Sequence, residues 1–156
     1  MKNKFIERAI FLSKKSVETN GGPFGAVVTK NGEIIGEGMN RVTIDNDCSL
    51  HAEVVAMRAA QKKLNTFNLK GCTLWSSTEP CPLCTSMVLW SRLDSVFYCN
   101  TRDDAKKIDF DDSEIFEELK KKPGDRKIPF KQMVDLHDKA LEAFELWDKK
   151  TDKVKY

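Results

Sequence analysis

Two stretches thirty positions apart constrain this chain more than anything else in it: "HAE", His51 to Glu53, and "CPLC", Cys81 to Cys84. Each is expected to open a helix. "HAEVVAMRAAQKKL" is rich in alanine and other helix formers. "CPLCTSMVLW" carries Pro82 in its first turn, where proline suits a helix start. Residues i and i+3 share a helix face, so Cys81 and Cys84 can point at one ion. The free N–H groups and dipole of a helix start also favour thiolates. With His51 the two cysteines form a three-ligand set. Three protein ligands leave zinc an open fourth position, the mark of a catalytic site. Glu53 lies two residues after His51, where a carboxylate can take a proton from zinc-bound water and later return it. Zinc in such sites lowers the pKa of its water to about 7.

A lone C-x-x-C has other uses. A redox disulfide would need no zinc partner and would leave Glu53 without a role. A structural zinc needs a fourth ligand, for which Cys48 is the nearby candidate. Five cysteines are an odd count, and no disulfide framework is expected. Cys72 and Cys99 sit at the ends of expected strands and read as buried core thiols. His137 reads as an ordinary surface or loop histidine.

With 156 residues the chain fits a single domain, residues 1–156, around one core. No apolar run approaches the roughly 20 residues of a bilayer span. The opening "MKNKFIERAIFLSKKSVETN" has charges among helically spaced apolar residues, so it reads as a surface helix rather than a signal peptide. The cytoplasm is the expected compartment. A net charge of +2 does not indicate a nucleic-acid partner. The lysines of "ELKKKPGDRKIPFK" and "DKKTDKVKY" read as solvated surface.

Along the chain, Phe5, Ile6, Ala9, Ile10, Leu12, Ser13 and Val17 share one helical face. "GGPFGAVV" breaks that helix and enters a strand. "KNGE" is a hairpin turn, because Asn31-Gly32 tolerates the positive φ of a two-residue turn. The return strand spans Glu33 to Gly38, and "CTLWSS", "SVFYCN" and "IPFKQMVDL" are further strands. "DDSEIFEEL" and "KALEAFELWDKK" are further helices. The order α-β-β-α-β-α-β-α-β-α predicts an α/β fold, a five-stranded mixed sheet covered by helices on both faces.

The pair "HAE" and "PCPLC" follows the H-x-E…P-C-x-x-C signature of zinc-dependent nucleobase deaminases. Together with the element order, it makes the chain resemble the cytidine deaminase-like superfamily over nearly its whole length. That resemblance implies a three-layer α-β-α fold and one zinc ion per chain, held by His51, Cys81 and Cys84, with Glu53 moving protons.

Within the superfamily, "GGPFGAVV", "GEGMNRVT" and "FDDS" resemble the bacterial-type guanine deaminases. The resemblance implies base binding by Asn40, aromatic pocket walls from Phe24 and Trp90, and an added acid at Asp112. It also implies a homodimer with exchanged C-terminal tails, in which the terminal Tyr156 closes the partner's site. The expected reaction is hydrolytic deamination of guanine to xanthine and ammonia, with a free purine base as partner and no membrane or nucleic acid. A planar purine suits an aromatic slot, and asparagine offers both a donor and an acceptor to its edge. The chain departs from the group at Cys48, Ser49 and Leu50, where a proline and small residues are usual, and at Ser86 and Met87, where a Gly-Ala pair is usual. These departures bear on the substrate rather than on the zinc chemistry. A tRNA adenosine deaminase, a deaminase of cytosine or guanosine, and an inactive zinc scaffold are the competing readings.

Overall fold

A computed structural model describes residues 3–156. They divide into two compact units, one ending at Asp112 and one spanning Ser113–Tyr156.

The first unit is built on one mixed sheet. β1 (Gly25–Lys30) and β2 (Glu33–Met39) form an antiparallel hairpin. Asn31 and Gly32 turn it with φ of 51° and 80°, as the sequence predicts. β3 (Cys72–Thr78) runs antiparallel to β1, and β4 (Ser95–Asn100) runs parallel to β3, giving the order β2-β1-β3-β4.

Strand alternation divides the core in two. Val27 and Trp75, paired across β1 and β3, pack with Phe5, Ala9 and Leu12 of α1 (Asn3–Glu18). Ala26, Val28 and Leu74 face the other way, into a core with Ala52, Ala56, Met57 and Ala60 of α3 (Ala52–Leu64). α4 (Pro82–Ser91) adds Met87 and Val88 to that side. The sheet therefore lies between helical layers, as expected.

Two details of this packing set up the site. A Cβ on Gly36 or Gly38 of β2 would stand 2.2 Å from the Ala56 carbonyl oxygen or 2.1 Å from that of Ala52, so α3 lies directly against the β2 backbone. On α1, Val17 is exposed, contrary to its expected face. Positions 5, 9, 12 and 16 carry the buried stripe, and the Ser16 hydroxyl donates to the Asn40 carbonyl at 3.1 Å. The short α2 (Val42–Asp45) and α5 (Arg102–Lys106) complete the unit.

The expected fifth strand is not there: among the described residues the sheet has four strands. Residues 128–136 lie in the second unit, between α6 (Ser113–Lys120) and α7 (His137–Lys149), and end in a 3-10 turn at Val134–Leu136. An extended segment becomes a strand only by pairing with an edge, and the other elements of its unit are helical. Its Phe130 amide instead donates to the Pro123 carbonyl at 3.0 Å. Cys99 is also corrected. It is exposed, because β4 is an edge strand whose residues 97–100 are open, whereas Cys72 is buried. Among the described residues no helix is long and apolar enough to cross a membrane.

Candidate metal and active site

His51 is the N-cap residue of α3 and Cys81 that of α4. Neither side chain makes a capping hydrogen bond. Both are turned instead toward Cys84, which lies buried in the first turn of α4. The His51 Nδ1 stands 3.4 Å from the Cys81 sulfur and 3.6 Å from that of Cys84, and the sulfurs are 3.7 Å apart. Zinc holds sulfur at about 2.3 Å and nitrogen at about 2.0–2.1 Å, so tetrahedral geometry puts two sulfurs about 3.8 Å apart and sulfur from nitrogen about 3.5 Å. The three donors therefore already form one face of a zinc tetrahedron. Among the described residues they are a group able to hold a metal ion.

Their protonation fits that role. Hydrogen bonding with Cys84, aided by His51, holds the Cys81 thiol below its ordinary range. The same pairing and burial push the Cys84 thiol up. The hydrogen bond to Cys81 raises the His51 imidazole. A cation held by thiolates favours their deprotonated form.

Glu53 lies in the first turn of α3 and is 5% exposed. Burial, the largest influence, pushes its carboxyl above the ordinary carboxylate range, and hydrogen bonding to its own backbone opposes this. The neighbouring Cys81 raises its carboxyl further, while His51 and Cys84 lower it. Ser76 of β3 donates its hydroxyl to Glu53 Oε1 at 3.2 Å.

Asn40 follows β2 and is buried. Its amide N–H donates to the Phe24 carbonyl at 3.1 Å, while its Oδ1 accepts from the amides of Gly22 at 3.4 Å and Val42 at 3.2 Å. The oxygen is thus engaged by backbone. The next amide, of Arg41, donates to the Leu50 carbonyl at 2.9 Å, which holds Asn40 close to His51 in the fold. Phe24 is half-buried and meets Phe110 edge-on, with ring centroids 4.9 Å apart.

Asp112 accepts from Arg102 Nε at 3.0 Å. The Arg102 backbone amide donates to Glu79 Oε2 at 3.3 Å, and the Glu79 amide donates to the Asn100 carbonyl at 2.8 Å. A capping box between Thr101 and Asp104 fixes this start of α5. The segment "EPC" that delivers Cys81 is therefore tied to the one that holds Asp112.

One expected residue of the first unit is not brought to this cluster. Trp90 is 64% exposed and sits about 120° around α4 from Cys84. Tyr156 is exposed at the end of the second unit. Three residues escaped the sequence reading: Ser76, Arg102 and Phe110. Strand parity offered one usable signal, because Ser76 shares the face of Leu74.

A histidine, two cysteines and a buried acid at two converging helix starts define a zinc hydrolase centre of the deaminase type. The chain belongs to the cytidine and deoxycytidylate deaminase family, whose zinc-binding region matches residues 1–100. Zinc is the cofactor of this family, and the donor set fits it. Over 153 residues the chain is 42% identical to the guanine deaminase of Bacillus subtilis, a match spanning 97% of each protein. The X-ray structure of guanine deaminase from Bacillus subtilis superposes with a TM-score of 0.93, covering 99% of this chain and 98% of that one. A tRNA-specific adenosine deaminase of Aquifex aeolicus is 36% identical over 97 residues, 62% of this chain and 64% of that one.

Proposed function

We propose that this chain is a zinc-dependent guanine deaminase that hydrolyses guanine to xanthine and ammonia. The observation that carries this reading is the similarity to the Bacillus subtilis guanine deaminase over 97% of the chain, second unit included. The likeness to the tRNA-specific enzyme spans 62%.

His51, Cys81 and Cys84 would hold zinc, which would supply the Lewis acidity that makes water a nucleophile near neutral pH. The protein's own groups handle the protons. Glu53 takes a proton from the attacking water as oxygen adds to C2 of guanine, and passes it to the adjacent ring nitrogen. Burial suits it to this exchange, because a carboxyl raised toward neutrality both accepts and releases a proton readily. The second proton of the water, given up by the C2 hydroxyl as it becomes a carbonyl, is relayed through Asp112 to the amine, which leaves as ammonia when the C2–N bond breaks. Arg102 orients Asp112. Asn40 donates from Nδ2 to an acceptor on the purine edge, and Phe24, braced by Phe110, packs against the ring.

The same reading makes the active form a dimer with exchanged tails. Two features support it. β4 is an open edge strand exposing Phe97 and Tyr98, and the second unit exposes Phe144, Leu146, Trp147 and Tyr156. A partner's second unit would cover the first and add Tyr156 to the aromatic wall, and Trp90 would face that junction.

Ammonia release from zinc-loaded protein, given guanine, adenine, cytosine and guanosine in parallel, tests the substrate. Release with guanine alone is expected. Release from a tRNA substrate, with none from guanine, would overturn the reading. For the dimer, a Glu53→Gln chain mixed with one lacking its last five residues is expected to regain activity as hybrids form.

A further inference from the structure

We propose that Ser76 is a positioning residue that holds the Glu53 carboxylate in its working orientation; this rests on the reading of Glu53 as the proton carrier. The terminal torsion of a glutamate is broad, so a buried carboxylate needs a fixed donor to settle which oxygen points where. Ser76 supplies one. It lies 1% exposed on β3, on the face turned toward α3, opposite the small residue Ala26. Its oxygen is 3.2 Å from Glu53 Oε1.

The direction of this bond is set from behind. The Thr78 amide N–H donates to the same serine oxygen at 3.4 Å. An oxygen that accepts from a backbone amide on one side turns its own O–H to the other, where Glu53 stands. A short relay thus runs from the Thr78 amide through the Ser76 hydroxyl to Oε1. The segment it starts from, Thr78-Glu79-Pro80, leads directly into Cys81. One loop therefore delivers a metal ligand and pins the acid. With Oε1 held, Oε2 is the oxygen that meets water and substrate. A proton carrier displaced by about 1 Å loses on the order of 100-fold in rate, so such a pin matters to the chemical step.

The bland role for Ser76 is a buried hydroxyl that has merely found a partner. Ser76→Thr and Ser76→Val separate the two, because they add the same branched bulk and only threonine keeps the hydroxyl. We expect Ser76→Thr to retain turnover within about threefold of the parent. We expect Ser76→Val to lower kcat by about 10- to 100-fold, the effect of removing a hydrogen bond to a charged group. KM should move little and zinc should stay at one per chain, while Ser76→Val, which leaves the Thr78 amide and Glu53 without this partner, should melt below Ser76→Thr. Equal kcat for the two would overturn the proposal. If the added methyl prevents folding in both, Ser76→Ala carries the same comparison against the parent, and an unchanged kcat would overturn it. Glu53→Gln locates any failure. If it turns over near the parental rate, the reading of Glu53 is wrong. If it is inactive while threonine and valine at 76 behave alike, only the role of Ser76 is wrong.

Discussion

Replacing Gly38 with alanine tests whether the backbone contact between β2 and α3 is what seats the metal site. The new methyl would stand 2.1 Å from the Ala52 carbonyl oxygen and 2.6 Å from the Ala56 amide nitrogen. Ordinary contact begins at 3.4 Å, so the helix start must withdraw by up to 1.3 Å. Ala52 lies between His51 and Glu53, and both move with it. His51 Nδ1 then leaves the 3.4–3.6 Å separations that match a zinc tetrahedron. Overpacking of this kind costs about 1–3 kcal/mol of stability.

Gly36→Ala is the control. Its methyl would stand 2.2 Å from the Ala56 carbonyl oxygen, an equal clash one helical turn further from the ligands. We expect both variants to unfold at lower urea concentration by similar amounts. Competition with a chromogenic chelator should show Gly38→Ala losing at least tenfold in zinc affinity and Gly36→Ala losing much less. Parental zinc affinity in Gly38→Ala, or equal losses in the two, would refute the reasoning.

Four further outcomes are expected. Stripping the protein with a chelator should abolish ammonia release, and stoichiometric zinc should restore it; recovery with magnesium alone would contradict the sulfur-rich donor set. The Arg8 guanidinium, which forks onto both Glu37 oxygens at 2.8 and 2.9 Å, holds that carboxyl below its ordinary 4.5. The stability from this pair, under about 1 kcal/mol, is present above pH 4.5 and fades as pH falls through the lowered value, so the parent and Glu37→Gln should converge in urea melts in that acidic range. Arg102→Met should lower kcat without changing zinc content, and Asp112→Asn in that background should add little; additive losses would separate the two residues. Asn40→Asp keeps an oxygen for the Gly22 and Val42 amides but removes Nδ2, so KM for guanine should rise by about tenfold or more while the thermal midpoint holds.

The metal ligands were legible because their spacing is local to two helix starts. Pro82 and the hairpin turn were legible because each residue type meets a backbone demand in place. Other features are relations between distant segments. Ser76 reaches Glu53 across 23 positions, with no motif joining them. Asn40 reads as an amide facing a purine, yet its oxygen is engaged by Gly22 and Val42, which only the folded loop shows. Residues 128–136 carry the composition of a strand, but strand formation depends on an available edge as well as on composition. Val17 is exposed because α1 turns Ser16 inward to reach the Asn40 carbonyl. Resemblance alone implies Asp112, and no spacing in the sequence joins it to its partner Arg102.

The absence of capping hydrogen bonds at His51 and Cys81 has a consequence for folding as well as for chemistry. An ordinary N-cap uses an oxygen of its own to fasten the first turn. Here two helix starts, thirty positions apart, meet through His51 and Cys81, and an ion held there would close a loop holding all of α3 and β3. Such a link narrows the unfolded ensemble much as a covalent staple does. Loss of the ion should therefore loosen both helix starts in concert, and amide exchange in their first turns should quicken together rather than one at a time.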